Sequence, residues 1–172
     1  MYKNIQNFMP FEHDNLEFKN NIIAVARSQD KTKFEGIFTA VLIYTNLVDY
    51  LAKHLLDNLN KMVSIYTFKN FGGVFYFDGS SKKSNLPLGG LHNELRCFDF
   101  PNKEDFLNSL DEFKKIRNQV MHNLMQVDPD DKTNKFDKDM QKVGEIAEDV
   151  LSKYNTIVGG ITAIWNQINT TI

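Results

Sequence analysis

The chain has 172 residues, 42% of them hydrophobic, which suits the core of one compact domain, the expected organisation. A formal net charge of −2 excludes a globally basic nucleic-acid binder, so any contact with a phosphate backbone has to be local. Cys97 is the only cysteine, which excludes an intramolecular disulfide and a cysteine-based zinc site.

In chain order, residues Met1 to Pro10 lack the basic-then-apolar pattern of a signal peptide. No later run is apolar for the length of a membrane span, so a cytoplasmic protein without membrane attachment is expected. From about Asp14 to Gln29, Leu16, Ile22, Ile23, Val25 and Ala26 predict a short amphipathic helix. From Thr32 to about Ser64, Phe34, Phe38, Val41, Val48, Ala52, Leu55, Leu59 and Val63 recur at helical spacing and predict a long second helix. Aromatic and β-branched residues then fill Ile65 to Phe71 and Val74 to Phe77 around Gly72-Gly73, the pattern of a β-hairpin. This hairpin opens an insertion over about residues 65–101, which closes with a short helix near Leu91 to Arg96.

Asn102 stands as an N-cap, with Glu104 and Asp105 in the first turn of a helix running to about Met125. Pro129 and its flanking aspartates end it. A last helix from about Phe136 to Ile168 carries an apolar stripe through Val143, Val150, Ile157 and Trp165, with a kink or break expected at Gly159-Gly160. The expected fold is all-α: an antiparallel bundle of about five helices, one domain over 1–172, with a small hairpin insertion.

One residue breaks the pattern of the fourth helix. Phe106, Leu110, Phe113, Val120 and Leu124 form an apolar stripe, and Arg117 lies seven residues from both Leu110 and Leu124, within roughly 20° of each. A guanidinium there needs a charged partner or water. Asn118 and His122, four apart, border the same stripe. Arg117 and His122 are five apart and diverge by roughly 140°, so a single helix converges them poorly. Two copies of the helix packed across a twofold axis would gather both sets in one cleft.

These residue types suit RNA cleavage. Arginine offers a permanent charged fork to a phosphate oxygen and to the charge that builds in a pentacovalent transition state. Histidine moves a proton near neutral pH, from the 2′-hydroxyl or to the leaving 5′-oxygen, while Asn118 positions phosphate or imidazole. The nucleophile is already in the substrate, so the reaction requires no metal, and no cofactor is implied.

The run from Ile116 through Arg117, Asn118 and Val120 to His122 resembles the R-polar-x-x-x-H signature of the HEPN superfamily. The order of elements is similar too: the motif is on the penultimate long helix, and Leu88 to Leu95 takes the place of a short preceding helix. The resemblance implies a homodimeric, metal-independent endoribonuclease that leaves a 2′,3′-cyclic phosphate and a 5′-hydroxyl. Such proteins commonly serve as toxins or in anti-phage abortive infection, with an antitoxin or sensor protein as partner. Members neutralised by a nucleotidyltransferase often carry a tyrosine two residues after the histidine; here that residue is Leu124.

Other readings stand beside these. Arg117 and His122 also fit a polar network that only holds a dimer together, and the chain also fits a non-catalytic module that binds RNA, a nucleotide or a protein. Asp49 borders the buried face of the second helix, where it could orient Arg117 or His122 or be an ordinary surface acid. Lys114 and Lys115 could guide a phosphate backbone or merely be solvated. Tyr66, Phe68, Phe71, Phe75, Tyr76 and Phe77 could stack on bases, or pack one face of a sheet. His13, His54 and His92 are scattered, and His54 falls on the polar side of the second helix, where solvent exposure is expected.

Overall fold

A computed structural model describes residues 8–12, 14–71, 86–126 and 135–171, with the side chains of 135–137 and 169–171 left aside. It contains five helices, α1 (Leu16–Arg27), α2 (Phe34–Phe71), α3 (Leu88–Leu95), α4 (Lys103–Gln126) and α5 (Lys135–Thr171), and no strand among the described residues. None of these helices is long and apolar enough to cross a membrane.

The helices form where the apolar periodicity places them. Asn15 starts α1, its Oδ1 accepting the Phe18 backbone N–H at 2.9 Å. One core joins all five elements, from Val41, Val48 and Leu55 on α2 to Phe106, Phe113 and Val120 on α4 and Val143, Val150 and Ile157 on α5. Pairings between α4 and α5 run in reversed order, Pro101 against Gly160 and Ser109 beside Asp149, so the two are antiparallel. Those between α2 and α5 run in the same order, Tyr44 against Gly144 and His54 with Tyr154, so these two are parallel.

Two expectations change, and a third holds with an unexpected backbone geometry. The first half of the expected hairpin, Ile65 to Phe71, is the continuation of α2. Buried Ile65 lies three residues after Met62, which packs on the core, so the helical register continues and overrides the local β preference of Tyr66 and Phe68. Gly72, Gly73 and Val74 to Phe77 lie outside the described residues. No break separates the two halves of α5, which is one helix through Gly159 and Gly160. A side chain at Gly160 would bring its Cβ to 3.1 Å from Pro101 Cγ, so this glycine permits close packing and does not break the helix. Asn102 does hold the N-cap position, its carbonyl accepting the Phe106 N–H at 3.1 Å, but with φ of 57°, the left-handed conformation that asparagine tolerates.

Candidate functional site

Arg117 occupies the stripe position that its spacing predicts. Leu110, Phe113, Val120 and Leu124 are buried around it, yet Arg117 itself is half-exposed, so the core opens to solvent at this point of α4. Its Nε and Nη2 both donate to Asn118 Oδ1, at 3.2 and 2.9 Å. The fork is therefore folded onto the neighbouring amide, away from the core. His122 is exposed, with Nε2 3.2 Å from the amide nitrogen of Gln126, one turn further on. Within one chain, then, the arginine and the histidine have separate partners, Asn118 and Gln126, in keeping with the divergence of their Cα directions.

Across from Arg117, α2 presents Asp49. It is no ordinary surface acid: its Oδ1 is buried and has no hydrogen-bond partner. Burial pushes the carboxyl above its usual range, and the positive charge of Arg117 partly counters the rise. Asp49 is thus placed to act on Arg117 through space, without a direct ion pair, while His122 has its own partner. The two lysines of the expected basic rim are less available than their sequence suggests. Lys114 and Lys115 each lie 2.7 Å from Asp111, whose carboxyl they hold down at about 2, so each phosphate contact would have to displace that carboxylate.

A second polar cluster, which the sequence reading missed, corrects the placement of His54. That side chain is half-buried and packed. Its Nδ1 is 2.5 Å from the Tyr154 hydroxyl, its ring stacks on Tyr50 at 5.4 Å, and Phe11 packs edge-on at 5.8 Å. Tyr154 in turn donates to Asp14 Oδ1 at 3.3 Å, and Lys19, 1% exposed, reaches the same oxygen at 2.6 Å with its ammonium 4.5 Å above the Tyr154 ring. Burial lowers the His54 pKa, against the pull of Asp14, and raises that of Tyr154. A signal for this cluster was present: Lys19, Ile23 and Ala26 are the buried residues of α1, at i, i+4 and i+7, so Lys19 is as misplaced on its helix as Arg117 is on α4. A smaller tie joins α4 to α5, where Ser109 Oγ donates to Asp149 Oδ2 at 2.6 Å and accepts from Lys153 Nζ at 2.6 Å.

Phe68 is half-buried, and Tyr66 and Phe71 are exposed along α2, so these three aromatics form no sheet face; Phe75, Tyr76 and Phe77 lie outside the described residues. His92 is half-buried on α3, and His13 lies outside the described residues. Among the described residues, no group of three or more His, Cys, Asp or Glu is placed to hold a metal ion. Comparison of the chain with protein-family profiles, curated proteins and solved structures returns no match.

Proposed function

We propose that the chain is a HEPN-type helical bundle acting as an endoribonuclease, a cytoplasmic toxin or anti-phage effector whose site is completed by a second copy. The single observation that carries this reading is Arg117, half-exposed in an otherwise buried stripe and bonded among the described residues only to the adjacent Asn118, on the same helix as exposed His122. In the proposed reaction the 2′-hydroxyl attacks the adjacent phosphorus, the P–O5′ bond breaks, and a 2′,3′-cyclic phosphate and a 5′-hydroxyl result. His122 transfers the proton, Arg117 neutralises the developing phosphorane charge and Asn118 positions the guanidinium or the phosphate. Asp49 tunes the arginine from behind.

The rival reading, a non-catalytic module that binds RNA, a nucleotide or a protein, draws support from the separate partners of Arg117 and His122. Expression of wild type and His122→Ala, with growth and total RNA followed and EDTA present, separates the two. Catalysis predicts growth arrest and cyclic-phosphate ends in the wild type, and a drop in cleavage of about a hundredfold or more in the variant. Wild-type toxicity that persists in His122→Ala would sink the catalytic assignment.

A further inference from the structure

Gln126 closes α4 and stands four residues after His122, and both side chains are exposed. A helical side chain leans toward the N-terminus of its helix, so Gln126 lies over the turn that carries the imidazole. There its amide nitrogen is 3.2 Å from His122 Nε2. Three asparagines of α2 behave differently: Asn46, Asn58 and Asn70 donate to the backbone carbonyls of Leu42, His54 and Tyr66, four residues earlier in each case. Gln126 reaches back by the same four residues, but to a side chain, and that side chain is the candidate proton carrier.

An amide nitrogen only donates, so the ring atom that faces it has to accept. The neutral imidazole of His122 then carries its proton on Nδ1 and its lone pair on Nε2, the minor tautomer of free histidine. We propose that Gln126 is a positioning residue that selects the Nδ1–H tautomer of His122, so that the ring enters the cleavage step as a base working through Nε2.

This assignment rests on the proposed ribonuclease reading and gives its proton transfer a direction. The Gln126 N–H holds the place that the 2′-hydroxyl takes when RNA binds. Nε2 then accepts the hydroxyl proton, the 2′-oxygen bonds to phosphorus and the P–O5′ bond breaks. The departing 5′-oxygen takes a proton from water, and the imidazolium returns its own to the hydroxide so formed. A ring that began the reaction as imidazolium would have no lone pair for the amide.

Heteronuclear NMR of the ring nitrogens at alkaline pH tests the tautomer without any substrate, the His122 signals being those absent from His122→Ala. In the wild type, Nδ1 is expected to show the signature of a protonated nitrogen and Nε2 that of a bare one. Gln126→Glu replaces the donor with an acceptor and is expected to invert the two. Gln126→Met, of similar length and without an amide, is expected to return the ring to the Nε2–H form that free histidine favours. The methionine variant should also lower kcat for RNA cleavage by about tenfold at unchanged KM and unchanged melting temperature, because Gln126 acts through His122 and not on the substrate. A wild-type ring protonated on Nε2, or a tautomer that ignores both substitutions, overturns the inference. Cleavage that requires His122 but not Gln126 also overturns it, and leaves the ribonuclease reading standing. A tautomer that follows Gln126 in a protein that leaves RNA intact upholds the selection by Gln126 while the ribonuclease reading fails.

Discussion

Two cations sit on apolar stripes in this chain, and their surroundings are opposite. Lys19 is closed in: Asp14 takes its charge, the Tyr154 ring lies beneath it, and the Tyr154 hydroxyl is tied in turn to His54. Among the described residues, Arg117 is left open, bonded only to the amide beside it, and the Asp49 carboxylate that feels its charge has a buried oxygen without a hydrogen-bond partner. The charge of Lys19 is paired inside the fold, whereas the Arg117 guanidinium is half-exposed and has no ion pair among the described residues. This contrast separates structural from functional polarity better than the presence of a misplaced charge alone.

The contrast makes sharp demands on substitutions. The largest expected effect is at Lys19: Lys19→Met strands the Asp14 carboxylate in a buried position and should destabilise the protein by about 3 kcal/mol, measured as a lower urea midpoint at an unchanged m-value. Arg117→Ala, by comparison, should cost less than about 1 kcal/mol while abolishing RNA cleavage, because its side chain is partly solvated and contributes little to folding. A stability loss at Arg117 equal to that at Lys19 would erase the distinction.

Asp49 sharpens the comparison in the opposite sense. Its folded pKa is raised above the usual 3.8 by burial, so its contribution to stability is fully present below that value and is lost as pH rises through the folded pKa. At neutral pH the carboxylate is a burden on the fold. Asp49→Asn should therefore stabilise modestly, by less than about 1 kcal/mol once solvent screening is allowed for, while lowering RNA cleavage; thermal melts at pH 7 paired with cleavage rates check both signs.

The smallest effect concerns pH. His54 has a folded pKa lowered from 6.5 by burial, so its contribution is present above 6.5 and is lost as pH falls through the lower folded value. Asp14 and Asp57 oppose the shift and Lys19 and Lys61 reinforce it, so the net slope is shallow. His54→Gln should flatten the decline of the melting temperature between pH 7 and mildly acidic pH, and an unaltered profile would place the titration elsewhere.

Most helices were legible in the sequence because each is specified by its own apolar period, and Arg117 was legible because it violates one. His54 was not, since the groups that cover it come from Asp14, before α1, and from Tyr154, one hundred residues away on α5. A helical wheel of α2 shows only that His54 is off the main stripe; it cannot show that another element buries that side as well. The hairpin expectation failed for a related reason: Tyr66 to Phe68 favour strand locally, but the packing of Met62 on the core and the burial of Ile65 keep the chain helical. At the candidate site, sequence placed Arg117, Asn118 and His122 on one helix. It did not reveal that Asp111 claims both neighbouring lysines, because short-range pairs of this kind depend on rotamers.

The single tryptophan lies at the join between the N-terminal segment and α5. Trp165 is buried, its indole N–H donates to the Phe8 carbonyl at 3.2 Å, and the Phe8 ring meets it edge-on at 5.7 Å. The chain therefore carries an intrinsic optical reporter of whether that segment is docked. Because Phe11, in the same segment, bonds to Asn58 and packs on His54, loosening the Lys19 cluster should shift tryptophan emission to longer wavelength, whereas emptying the Arg117 site should leave the spectrum unmoved.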